Sequence, residues 1–316
     1  MIFTFGPVQP FIAEARRTAD LFTGSQILVC LARAAGKALK SRGRLVYPAE
    51  LTEAEDVPNK LVTMVSWEEA QIAAEEARVA LLREWERIAD TAGRELERLG
   101  PLPDDTWREI WDRQTNKLWE IFWAAASLEG RSYREAYKEA DRVLTGVKRT
   151  RIFEQAEERG LKDSLSGRRE ALHTRDRNAR DYWKAIAGKV PTAKLRQEGR
   201  ERLDAIGAVK RFSDLAERGR FPSTSTVAST EFLNNAKGQL NRYREAMEKL
   251  LGAYLYRVQS HDSEWPYDGD LLYLETLAEN RLLESYGMKK PDHALLEKAR
   301  CELRSVYSQL KMRPSP

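Results

Sequence analysis

The sequence is poor in the residues that build cross-linked and metal-built scaffolds. Its two cysteines, Cys30 and Cys301, stand far apart in a chain of 316 residues, which excludes a disulfide framework and any cysteine-built zinc site. Three scattered histidines are too few for a histidine-rich metal centre. No apolar run reaches the roughly 18 residues that a membrane-spanning helix needs. The opening Met1-Ile2-Phe3-Thr4-Phe5 has neither the basic nor the long apolar stretch of a secretory signal. Repeats of fixed period and low-complexity segments are also missing. These absences point to an intracellular, cytoplasmic protein with no resident metal and no membrane contact, long enough for two domains.

Charge is abundant but nearly balanced, with 53 Lys+Arg against 49 Asp+Glu. Its distribution is uneven. Between Arg142 and Arg220 there are 21 Lys+Arg and 12 Asp+Glu, so the remainder of the chain is net acidic. A basic middle between acidic ends is the footprint of a polyanion-facing surface or of a salt-bridged helical face.

The apolar run at residues 2–5, ended by Gly6-Pro7, reads as a buried strand and a turn. A helix follows Pro10, with Phe11, Ile12 and Ala15 on one face and Arg16 and Arg17 on the other. A second helix is predicted over about 25–40, strands at 44–47 and 60–65, and a long helix over 67–99. Asp104 or Asp105 caps the next helix, and 118–126 is apolar enough for a central strand. The order β, α-α, β, β, α, β is that of a ferredoxin-like βαββαβ unit, placed at residues 1–130. Residues 131–316 read as a helical domain, with helices at 133–149, 180–187, 194–216, 230–256, 270–285 and 293–311. The fold class is therefore α+β. The tryptophans, including Trp67, Trp85, Trp107, Trp111, Trp119 and Trp123, fall at helical or strand spacings and read as core or subunit-interface anchors rather than base-stacking platforms.

The stretch from Gly6 to Ser25, GPVQPFIAEARRTADLFTGS, resembles the start of the first palm-like domain in the large subunit of type III-B CRISPR effector complexes, the Cmr type. The family pattern is GPVQ-x-FI-x-x-AR followed by T-x-D-L-(aromatic)-x-GS, and every position matches. Pro58-Asn59-Lys60, Lys148-Arg149-Thr150-Arg151-Ile152-Phe153, Val209-Lys210-Arg211-Phe212, Phe221-Pro222-Ser223-Thr224-Ser225 and Asp268-Gly269-Asp270-Leu271-Leu272-Tyr273 resemble further blocks in family order.

The resemblance implies a subunit of an RNA-guided antiviral complex whose full form carries an HD nuclease domain, a GGDD palm that makes cyclic oligoadenylates, and a zinc-bearing helical domain. Departures from the pattern shape the expectation here. Nothing precedes the strand at residue 2 and no GGDD occurs, so the chain reads as the front part alone, with no catalytic residue. His261-Asp262 is a bare dipeptide without the further ligands that an HD site needs, with His173 and His293 in unrelated contexts. Asp268 and Asp270 flank a glycine but lack the apolar strand of a palm site, and Asp270 reads instead as a helix N-cap. The family's zinc positions correspond to Asp163, Ser166, Asp204 and Gly207, which is a degenerate metal site; Lys162, Arg168 and Arg169 stand beside it to neutralise Asp163.

The expected role is a non-catalytic scaffold that docks against the subunit capping the guide-RNA tag, and contacts crRNA and target RNA. Arg16, Arg17, Lys148, Arg149, Arg151, Lys210 and Arg211 are the candidate RNA contacts, through sequence-blind phosphate binding. The alternative is the nucleotide-binding half of an oligoadenylate synthetase, with no cofactor of its own but with ATP held between palms in a fuller assembly by Gly6, Gln9 and Ser25. A free-standing RNA-binding helical protein is a third reading.

Overall fold

A computed structural model describes residues 1–52, 56–150, 157–190, 194–196, 198–218, 223–255, 257 and 264–314. Strand β1 (Ile2–Gly6) leads into the short helix α1 (Gln9–Ala13) and the long α2 (Thr18–Arg42). Strands β2 (Arg44–Tyr47) and β3 (Lys60–Met64) follow, then α3 (Ala70–Leu99), α4 (Asp105–Thr115) and β4 (Glu120–Ala124). The four strands form an antiparallel sheet in the order β2-β3-β1-β4.

Alternation along the strands sorts side chains to two faces. Phe3, Phe5 and Leu61 join the cluster built with α2 and α3. Ile2, Val62 and Ala124 point the other way, against Ala140 and Leu144 of α5 (Tyr133–Arg149). Burial on both faces explains why residues 2–5 do not alternate apolar with exposed polar side chains: Ile2 is buried on one face, Phe3 and Phe5 on the other, and Thr4 is buried too. Helix α5 begins with a capping box, in which the Ser132 hydroxyl accepts from the Glu135 N–H and the Glu135 carboxylate accepts from the Ser132 N–H.

Beyond α5 lie α6 (Ala179–Ala187), α7 (Ala205–Phe212), α8 (Leu215–Arg218), α9 (Thr224–Ala228), α10 (Thr230–Asn235), α11 (Asn241–Leu251), α12 (Glu279–Tyr286) and α13 (His293–Leu310). The buried side chains do not divide at residue 130. Tyr182, Trp183, Ile186 and Val209 of α6 and α7 share one cluster with Phe3, Leu31 and Leu81. The Trp107 indole N–H of α4 donates to the Tyr182 hydroxyl at 2.9 Å across that boundary. A second cluster runs from Phe232 to Tyr307 around Tyr243 and Trp265, whose rings stack at 5.2 Å.

Three helical expectations are corrected. Among the described residues of 194–216, helix is confined to α7 and α8, because the residues before them use side-chain and loop partners instead. The Glu201 carboxylate accepts the Arg196 N–H at 2.9 Å, Ser164 Oγ accepts the Arg202 N–H at 2.9 Å, and the Leu172 N–H reaches the Leu203 carbonyl. The expected helix over 230–256 breaks between α10 and α11, where Gly238 takes a left-handed φ of +78°. Residues 269–276 form two 3-10 turns, and the cap is Asp268, whose side chain accepts from the Asp270 N–H. Among the described residues no helix is long and apolar enough to cross a membrane.

Candidate nucleic-acid interface and the interior charges

The basic block Lys210-Arg211 lies inside the molecule. All eight residues of α7 are buried, and Lys210 and Arg211 are 1% and 4% exposed. Neither can meet a phosphate without unpacking α7 from α2 and α3, which corrects their expected role. Most of their partners come from the Gly6–Ser25 stretch. Arg211 Nε donates to Asp20 Oδ1 at 3.1 Å and a second nitrogen holds Oδ2 of the same carboxylate. Arg211 Nη1 lies 3.0 Å from Glu201, whose other oxygen takes Arg17 at 2.6 Å. Burial opposes the Arg211 charge, but Asp20 and Glu201 outweigh it and leave its pKa raised. Arg17 is thereby tied inward too, and burial together with the nearby Arg211 lowers its pKa. Lys210 donates to the carbonyls of Phe11 and Glu14 at the end of α1, and its ammonium sits 4.4 Å from the Phe11 ring centroid. Burial brings its pKa down to about 8.

The four positions aligned with zinc ligands form two hydrogen-bonded pairs, near enough for the Asp163 charge to act on Asp204. Asp163 Oδ1 accepts from the N–H groups of Leu165 and Ser166 at 2.8 and 2.7 Å, and Oδ2 accepts from Ser166 Oγ at 2.8 Å. Asp204 caps α7 through the Gly207 N–H at 2.6 Å. The neighbouring cation serves Asp204 rather than Asp163. Arg169 lies 3.0 Å from Asp204 and 2.6 Å from Glu14, whereas Lys162 turns to the Glu158 carbonyl. Burial pushes Asp204 up to about 6, against the pull of Arg169 and with the help of Asp163.

Asp268 and Asp270 are likewise engaged in packing. Asp268 Oδ1 accepts from Ser223 Oγ at 2.6 Å and from the Asp270 N–H at 3.0 Å. Asp270 takes the Tyr286 hydroxyl at 2.6 Å. Burial and the Asp268 charge push Asp270 up to about 7.

The proposed nucleotide contacts are dispersed over three elements. Gln9 is exposed at the start of the five-residue α1, Gly6 ends β1, and Ser25 is half-buried well inside α2. His261, Asp262, Arg151, Phe221 and Pro222 lie outside the described residues.

Three of the candidate RNA contacts stand at the surface: Arg16, Lys148 and Arg149. The last two end a longer feature that the sequence reading did not single out. From Arg131 to Arg149, six cations (Arg131, Arg134, Lys138, Arg142, Lys148 and Arg149) are exposed. Within the helix Arg134, Lys138, Arg142 and Arg149, spaced at four, four and seven residues, lie on the side of α5 turned away from Ala136, Ala140 and Leu144; Arg131 precedes the helix, and the Lys148 ammonium leans toward the sheet, 5.9 Å from the Phe122 ring centroid. The three carboxylates of this segment are committed locally: Glu135 to the Ser132 cap, Glu139 to Arg142 at 2.7 Å, and Asp141 to Lys60 at 2.6 Å. What remains is a cationic stripe along ~25 Å of helix, with Lys148 and Arg149 at the C-terminal end that favours positive charge. The sequence signal was present as a basic 3–4 spacing opposite an apolar 3–4 spacing.

Residues 1–90 match the family model described as CRISPR-associated protein Cmr2, N-terminal. That span contains the Gly6–Ser25 and Pro58–Lys60 blocks; the blocks at 148–153, 209–212, 221–225 and 268–273 lie beyond it. No curated protein matches the chain.

Proposed function

We propose that the chain is a non-catalytic scaffold portion of the large subunit of a type III-B CRISPR effector complex, docked on the subunit that caps the guide-RNA tag and touching guide or target RNA through α5. The observation that carries this reading is the family match over residues 1–90, supported by the way the matched segment is used. Asp20, Phe11 and Glu14 within it hold Arg211 and Lys210 of a later block resembling the same family. The strand order β2-β3-β1-β4, antiparallel throughout, with helices between β1 and β2 and between β3 and β4, supports a ferredoxin-like, palm-like domain at its front. The acidic pair Asp268 and Asp270 serves as a cap and an interior acceptor, which favours scaffolding over catalysis there.

The test is association with a guide-loaded effector complex reconstituted without its large subunit. The chain should bind it, and the Lys148→Glu/Arg149→Glu double variant should bind more weakly with a shallower dependence on salt. Equal binding by wild type to a guide-loaded complex and to an unrelated ribonucleoprotein would overturn the reading.

A further inference from the structure

Between the outer face of the sheet and the first half of α5 lies a cavity of about 280 Å³. Its walls are largely apolar, with Ile2, Val65, Trp67, Leu128, Tyr133 and Tyr137 among them. Two of its aromatic walls are turned to solvent, since Trp67 is 64% and Tyr133 is 47% exposed. Tyr133 and Tyr137 lie with ring centroids 6.2 Å apart, and the Lys60 ammonium stands 5.3 Å from the Tyr137 ring. Arg134 and Lys138 follow these tyrosines directly in the chain and so sit about 100° further round α5, at the edge of the cationic stripe. Exposed aromatic faces in a groove bordered by a row of cations are the two parts of a single-stranded nucleic-acid site: bases stack on the rings while the phosphates follow the charges.

We infer that this cavity receives one unstacked base of a single-stranded nucleic acid, with Trp67 and Tyr133 as its stacking faces and Arg134 and Lys138 holding the adjacent phosphates. This deepens, and rests on, the reading of α5 as the nucleic-acid-facing helix. The size is appropriate: a cavity of about 150 Å³ holds a benzene ring, so 280 Å³ suits one base and not a stacked run. The carboxylate in the lining, Glu129, offers an acceptor to base amino protons. Charge decides between occupants. An apolar peptide would fill the cavity but leave Arg134 and Lys138 without counter-charge, whereas a phosphodiester strand supplies it at each nucleotide.

The experiment measures binding of the full chain to a labelled ten-nucleotide single-stranded RNA over a salt series. A matched abasic oligonucleotide and a duplex RNA serve as competitors. Trp67→Ala and Tyr133→Ala remove side chains that are largely outside the core. Each should weaken binding about 5- to 100-fold with the salt slope unchanged. Arg134→Ala/Lys138→Ala should instead reduce the slope of log K against log salt by about 1.4. Two results would overturn the base site: abasic or duplex competitors binding as tightly as single-stranded RNA, or aromatic variants binding like wild type. If the aromatic variants are silent while the cationic variant still lowers the slope, the base site falls and the α5 reading stands. If neither class of variant matters, both fall.

Discussion

At the scale of single residues, the most informative side chain is Arg211. A guanidinium in an interior is tolerated only when its charge and its donors are matched, and here Asp20 and Glu201 do the matching from positions 191 and 10 residues away in sequence. Removing one partner strands the other. Arg211→Ala is expected to cost about 3–5 kcal/mol in urea unfolding. The Asp20→Ala/Arg211→Ala double variant should fall short of the sum of the singles by ~1–3 kcal/mol; additive costs would mean the pair is not coupled. The same residues show why a basic block misleads a reader of sequence. Val209-Lys210-Arg211-Phe212 has the composition of a phosphate contact, and the Asp20 carboxylate that pairs with Arg211 lies far off in the chain. A usable signal was nevertheless present in Ala205, Ile206, Ala208, Val209 and Phe212, since a helix apolar nearly all round is buried, and its cations must then be buried with it.

At the scale of elements, what was legible was what is locally encoded. The boundaries of α5 follow from the Ser132 cap and its apolar 3–4 spacing, α3 from its alanine-rich period, and β1 from the apolar run before Gly6. The stretch at 194–204 was not legible, because besides the local Glu201 carboxylate its backbone bonds go to Ser164 and Leu172, partners that only the fold brings near. Glycines separate the two situations experimentally. A Cβ on Gly269 would lie 2.5 Å from the Thr226 Cα and 2.7 Å from the Ser225 carbonyl oxygen, and this backbone cannot move aside without parting the 3-10 turn from α9. Gly269→Ala should therefore destabilise by at least ~1–3 kcal/mol. A Cβ added at Gly146, in α5, would meet nothing within 4 Å, and Gly146→Ala should stabilise by about 0.8–1 kcal/mol while leaving RNA affinity unchanged. Urea unfolding of both variants reads the contrast; losses of similar size at the two positions would contradict it.

At the scale of the whole molecule, the two largest apolar clusters, one from Phe3 to Leu215 and the other from Phe232 to Tyr307, stand apart from each other, with a smaller one between the sheet and α5. Each of the two largest holds a buried carboxyl raised above its ordinary range, Asp204 in the first and Asp270 in the second. A carboxyl raised on folding contributes stability in its neutral form. For Asp270 that contribution is complete below its ordinary value of 3.8, and it is lost as pH climbs through about 7. A span of about three pH units corresponds to ~4 kcal/mol as an upper bound. Replacing Asp270 by asparagine removes the titration and keeps an acceptor for the Tyr286 hydroxyl. The stability of wild type relative to Asp270→Asn should therefore fall steadily from pH 4.5 to 8. The change should appear in the unfolding of the second cluster, whose own tryptophan is Trp265, and leave the unfolding of the first unmoved. Calorimetry across that pH range decides the matter. A difference that stays constant with pH would mean that Asp270 is already ionised in the fold; an equal shift in both transitions would mean that the two clusters unfold as one.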